Sequence, residues 1–245
     1  MPGVKNISDI ATGLKNVRRL TAKPWRAVEA QHKVVTRKLV DSLEEQFLLE
    51  ELLDSKKPPY QQAGDEHLHY LLSTPFRYPP LKYGSRFGTR LRRGIWYGSA
   101  RVKTALAEVA YYRFVFLEGT DADLGTVYAD FTVFRASVKT SRGIDLTREP
   151  FLKLKSRLID PTDYKLTQEL GDKMRDTNIQ AFRFFSARDK DNGINIAVLN
   201  GLAFDQKKPL EFMHWHCIAN LDQVEFVSQD ILKQSQLKFT RNYFD

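Results

Sequence analysis

From Thr126 to Val138 the chain reads TVYADFTVFRASV. Val127, Ala129, Phe131 and Val133 fall on one side of an extended chain and Tyr128, Asp130 and Thr132 on the other. That period of two predicts a strand half buried on one face, and a strand needs partners. Partners are legible further on: Ile179–Phe185 and Ile194–Leu199 read as two strands joined by the polar turn Asp189–Gly193, and Leu210–Ala219 is another strand pattern. Helical patterns intervene. Gly98-Ser99 offers an N-cap for a helix over 101–116, preceded by a short strand at Gly94–Tyr97. Asp160-Pro161 starts a second helix through about Asn178, with Leu166, Leu170 and Met174 at a spacing of four. Hairpin-like neighbours mixed with helices place the chain in the α+β class.

The 245 residues, 42% of them hydrophobic, suffice for one substantial domain with an extension. The extension is assigned to residues 1–65 and the main domain to 66–245. In the extension, Pro24 sits near the first position of an expected helix over 24–53, in which Val28, His32, Val35, Leu39, Leu43, Phe47 and Leu52 recur at near-helical spacing. Lys56-Lys57-Pro58-Pro59 ends it. No stretch of about 18 apolar residues suggests a membrane span, and the first twenty residues lack a secretory h-region. With Cys217 the only cysteine, an internal disulfide is excluded, and the reading is a cytoplasmic protein with no membrane contact.

Charge is unevenly placed. Residues 1–40 hold nine Lys/Arg against two acids, so +7 of the net +8 lies there and the remaining chain is almost neutral. A basic segment of that kind suits an acidic partner or nucleic acid, and equally a solvated surface. Against the neutral body, the arginines at 77, 86, 90, 92 and 93 are a local concentration, interleaved with Tyr97 and Tyr112 around Glu108. Arginine presents a fixed fork of donors to a phosphate, and tyrosine presents a flat face to a ring. A carboxylate beside a sugar can stabilise an oxocarbenium-like transition state. On the helix over 101–116, Val102, Ala105, Leu106, Val109 and the stem of Arg113 line one face, and Glu108 falls at its rim.

Other chemistries find less support. Phosphate loops, dinucleotide glycine fingerprints, nucleophile elbows and zinc-protease helices are missing from the sequence. His67/His69 and His214/His216 could supply four metal ligands, but nothing in the sequence brings the pairs together, and no metal is assigned. Cys217 lies inside a strand pattern and reads as core.

The string from Arg77 through Gly84-Ser-Arg86-Phe, Ile95-Trp-Tyr97-Gly-Ser-Ala and Thr104-Ala-Leu-Ala-Glu108-Val to Ser186-Ala-Arg-Asp, Asn195 and Ala203-Phe204 resembles the RES domain. That family is named for its Arg, Glu and Ser, and its members are typically bacterial toxins paired with Xre-type antitoxins. Phe87 stands where the family usually has Trp, and Gly88 where Asn is common. The resemblance implies an ADP-ribosyltransferase-like fold of mixed sheets with flanking helices, and an activity that consumes NAD without a metal. It implies that Glu108, Arg77 and Ser186 are catalytic and that Arg77, Arg86 and Tyr97 bind NAD. In that picture Glu108 stabilises the ribose cation, Ser186 orients the ribose or Glu108, and Tyr97 packs on the nicotinamide side. The expected function is a toxin that cleaves the nicotinamide–ribose bond, held in an oligomeric complex with its antitoxin. The alternatives are ADP-ribosyl transfer to a protein target and a non-enzymatic antitoxin- or nucleic-acid-binding protein.

Overall fold

The structure is a computed structural model that describes residues 10, 12–30, 39–60, 62, 64–78, 80, 82–230 and 234–245. Ten strands form one sheet: β1 (Arg18–Ala22), β2 (Trp25–Glu29), β3 (Trp96–Ser99), β4 (Val127–Arg135), β5 (Val138–Asp145), β6 (Ala181–Phe185), β7 (Ile194–Val198), β8 (Glu211–Ala219), β9 (Gln223–Ser228) and β10 (Gln236–Thr240). Their spatial order is β1-β5-β6-β7-β3-β2-β4-β8-β9-β10. The helices are α1 (Leu43–Ser55), α2 (Tyr70–Arg77), α3 (Val102–Glu118), α4 (Lys155–Leu158) and α5 (Lys165–Asp176). The α+β class is as expected.

β6 and β7 form the antiparallel hairpin read from the sequence, with Ala181 opposite Val198. The parallel β5–β6 pair needs a long crossover, which α4 and α5 supply. Thr126–Val138 is two strands, because the alternation runs on through a change of position. β4 ends at Arg135 beside β2 and β8, and β5 starts at Val138 beside β1 and β6. Ala136 makes the step, its amide donating to the Pro24 carbonyl at 2.9 Å.

The expected helix over 24–53 is corrected. Residues 25–29 are a strand that pairs with β4 from Trp25↔Arg135 to Glu29↔Phe131. Backbone groups satisfied by a neighbouring strand override a weak helical spacing. Among the described residues of that span only the far part, α1, is helical; His32 and Val35 lie outside the described residues. Leu43, Leu48 and Leu52 on α1 are exposed, so this stripe is not buried against the described body.

Three apolar clusters hold the sheet. Leu106, Ala110, Phe114 and Leu117 of α3 pack on Phe131, Val133, Trp215, Cys217 and Phe226. Leu170 and Met174 of α5 pack with Phe87, Phe182 and Phe184. Leu72 and Phe76 of α2 pack with Trp96, Phe134 and Phe204. Each such Leu, Val, Met or Phe side chain contributes about 1.5–3 kcal/mol by leaving water. Cys217 is buried in the α3 cluster, where desolvation pushes its thiol up to about 11, consistent with a core residue.

Candidate active site

The sides of α3 do different work. The core stripe is Leu106, Ala110, Phe114 and Leu117, whereas Ala105, Glu108, Val109, Tyr112 and Arg113 line a cavity of about 520 Å³. The face read from the sequence as core does pack, with Ala105 and Leu106 buried and Val102 and Val109 against the α3 cluster, while Ala105, Val109 and Arg113 also border the cavity. Ser99 does not cap the helix either. Its hydroxyl donates to Asn195 Oδ1 at 2.6 Å, and the cap position is Arg101, which makes no side-chain capping bond.

Glu108 is held by two side chains from the β6–β7 hairpin. Ser186 Oγ donates to Glu108 Oε1 at 2.6 Å, and Asn195 Nδ2 donates to the same oxygen at 2.7 Å. Both donors are fixed from behind. Ser186 follows the last residue of β6, and its Oγ accepts from the amides of Arg188 and Asp189 at 3.0 and 3.1 Å. Asn195 sits opposite Ser99 in the β3–β7 ladder, which aligns the Ser99–Asn195–Glu108 relay. Charge-assisted bonds from prepositioned donors hold a carboxylate in one orientation.

The turn after β6 is itself docked on α3. Thr104 Oγ1 donates to Asp189 Oδ2 at 2.6 Å, Arg101 Nη2 donates to it at 3.2 Å, and Tyr243 OH donates to Oδ1 at 3.1 Å. Burial raises the Asp189 pKa, but the bonds from Thr104, the Asp191 amide and Tyr243, with the Arg101 charge, outweigh it and hold the carboxyl below its ordinary value. Asp189 therefore stays ionised and ties the Ser186 end of the hairpin to the start of the Glu108 helix.

The opposite rim comes from a tight loop. Gly84 has a φ of 75°, and a side chain there would meet the Gly88 carbonyl at 2.3 Å. Ser85 and Gly88 exchange backbone bonds across the loop, which sends neighbouring side chains apart. Phe87 is fully buried, its ring edge-on to Phe182 and Phe184 at 4.7 and 4.8 Å. Arg86 turns to the cavity, stacked on Tyr164 at 4.6 Å with Nη1 donating to the Asp160 carbonyl at 2.7 Å.

Tyr97 lines the same cavity, and its hydroxyl is engaged with Ser85 Oγ at 2.9 Å and the Phe87 amide at 3.2 Å. Desolvation pushes its phenol up to about 12, so it is neutral at ordinary pH.

Of the expected site residues, Glu108, Ser186, Arg86 and Tyr97 are brought to one place. Arg77 is not among the cavity-lining residues. It ends α2, its guanidinium donating to the Pro58 carbonyl and lying 4.7 Å from the Tyr60 ring. Three residues at the cavity were given no role from the sequence: Asn195, Arg188 and Arg26. Arg188 is buried, 3.4 Å from the Tyr111 ring, with Nη2 donating to the Pro161 carbonyl at 2.8 Å. Asn195 carried a sequence signal, being two positions from Gly193 in the hairpin. Arg26 carried none, because its strand was read as helix. The histidine pairs serve elsewhere: His69 accepts from the Leu71 amide at the start of α2, and His216 bonds Asp130 at 2.9 Å.

Among the described residues no helix is long and apolar enough to cross a membrane. A search of curated protein sequences gave no significant match. Among solved structures, a chain of the crystal structure of the M. tuberculosis MbcT–MbcA toxin–antitoxin complex aligns at a TM-score of 0.49 and 12% identity, covering 83% of this chain and 90% of that one. The model of the RES domain family matches residues 58–218, a span that holds Glu108, Ser186, Asn195, Arg86 and Tyr97 and well over half of the sequence. The chain belongs to the RES domain family.

Proposed function

We propose that the protein binds NAD in the cavity beside Glu108 and cleaves its nicotinamide–ribose bond. The observation that carries this reading is the pinned carboxylate: Oε1 of Glu108 accepts from both Ser186 and Asn195 inside a cavity lined also by Arg26, Arg86 and Arg188. A cavity of about 520 Å³ falls in the range of small-molecule sites. Arginines suit the diphosphate, and a fixed negative charge suits the cation that develops at the ribose carbon.

In this reading the bond from ribose C1′ to the ring nitrogen breaks, and its electron pair neutralises the pyridinium, releasing nicotinamide. Glu108 stabilises the resulting oxocarbenium-like carbon while Ser186 and Asn195 keep the carboxylate from turning. Water then adds to C1′ and gives its proton to solvent. Family membership supports an NAD-acting enzyme of this kind. It also motivates the wider reading of a toxin held in check by an Xre-type antitoxin, in an oligomeric complex. Phosphate or a protein side chain in place of water would make the same step a phosphorolysis or an ADP-ribosyl transfer.

The test is to incubate the purified chain with NAD carrying a label on the adenosine side. Free nicotinamide with label in small molecules is the expected result. Label on protein would move the reading to transfer, and intact NAD would overturn it. Growth arrest on expression, relieved by a co-expressed antitoxin, tests the toxin reading separately.

A further inference from the structure

A separate cavity, of about 480 Å³, shares no wall residue with the one beside Glu108. Its wall carries three arginines from distant segments: Arg93 just ahead of β3, Arg142 on β5 and Arg175 on α5. Gln62, Gln180 and Asn200 stand with them, and no carboxylate is among the described lining residues. Cations gathered without an anion repel one another, and removal from water strengthens the repulsion.

The three are held in place, but their charge is not balanced. Arg93 Nη1 donates to Gln62 Oε1 at 2.8 Å and Nη2 to Asp65 Oδ2 at 2.9 Å. Arg175 Nη2 donates to the Arg93 carbonyl at 2.7 Å, and Arg142 donates to the Asn178 and Thr177 carbonyls at 2.7 Å each. Carbonyls satisfy N–H groups without neutralising a cation. Among the described residues Asp65 is the one carboxylate paired with any of the three, and the nearby Asp172 and Asp176 pair with Arg92. Nε of Arg93 and Nε of Arg175 are both buried with no acceptor among the described residues, an uncommon state that signals a missing counter-charge. Burial, with the Arg93 charge adding to it, pushes Arg175 down to about 10, so it remains a cation at neutral pH.

We propose that this cavity binds a phosphate group, held by Arg93, Arg142 and Arg175. Guanidinium charge is delocalised, so an oxyanion at one edge of the fork offsets the whole cation, the Nε side included. Convergent arginines suit phosphate, which carries more charge and more acceptor oxygens than a single carboxylate. The volume exceeds that of one phosphate and admits the group either free or carried on a small molecule. The site stands apart from the NAD reading and does not depend on it. Gln180 gives a direct probe: its Oε1 accepts from Thr140 Oγ1, so Gln180→Glu keeps that bond and adds a negative charge to the wall.

The experiment titrates the full chain with inorganic phosphate and with glycerol phosphate, by calorimetry and by melting temperature, against chloride at equal ionic strength. Phosphate at about ten times its Kd should raise the melting temperature by about 3–6 °C, and chloride should not. Binding of either ligand supports the site, and the tighter one shows whether the phosphate is free or carried. Gln180→Glu should melt higher than wild type in phosphate-free buffer and bind phosphate about tenfold or more weakly. Asn200→Asp keeps the oxygen that accepts from Gln62 Nε2 and the Leu202 amide, should behave alike, and serves if Gln180→Glu does not fold. Equal responses to phosphate and chloride overturn the site. Phosphate binding that survives both acidic variants but is lost in Arg86→Gln places the anion beside Glu108 and overturns it as well.

Discussion

The two walls of the cavity are built in opposite ways. On the α3 side polar groups back one another: Glu108 by Ser186 and Asn195, Ser186 by two amides, Asn195 by Ser99. On the β2 side Arg26 makes one hydrogen bond within the described residues, its guanidinium beside the Trp96 ring, and lines the cavity. The first wall is preorganised, as a group that must meet a short-lived charge should be. The second is held by fewer bonds. The two walls come from distant parts of the chain.

Four substitutions probe that division. Glu108→Gln keeps the shape and removes the charge, and is expected to cut NAD cleavage about 10³-fold with an unchanged melting temperature; a rate within tenfold of wild type would return Glu108 to a structural role. Val28→Pro attacks the other wall. The alternation set by the Ala30 amide donating to Asp130 puts the Val28 amide in the β2–β4 ladder, so its loss should destabilise the protein by about 3 kcal/mol in denaturant titration. Unaltered stability would mean that β2 is not integral to the sheet. Asn195→Ala should lower kcat about tenfold with little change in KM, and combining it with Ser186→Ala should cost less than the two separate losses multiplied. Full multiplicativity would show that the two donors act independently.

The smallest effect concerns Tyr97. Its folded-state pKa is raised to about 12 from an ordinary 10, so the stability it contributes is complete below about pH 10 and is lost as pH rises toward 12. Tyr97→Phe should make the decline in stability across that window shallower, read from melting temperatures at stepped pH. An identical decline would place the phenol in water and not in the wall.

Much of the first wall was legible in the sequence. The β6–β7 hairpin and the Glu108 helix both announce themselves by period and turn chemistry, and Glu108 and Ser186 sit where that reading put them. The inner face of the helix was harder. Periodicity reports which residues are apolar, but a cavity wall and a core both take Ala and Val, so it could not show that Ala105 and Val109, packed as expected, also border a cavity. β2 was illegible for another reason. A strand this short carries too few residues to show a period of two, and what makes it a strand is β4, far along the chain. Arg77 shows the converse limit, since a motif position locates a residue in the chain without showing where its side chain goes.

The place of β2 has a kinetic consequence. Trp25 and Arg26 lie far ahead in the chain of their partners Ser99, Phe134 and Arg135, and β8 lies further on still. Contacts so distant in sequence carry a large loop-closure cost and tend to form late in folding. The β2 wall of the cavity is therefore finished only when distant strands of the sheet are in place.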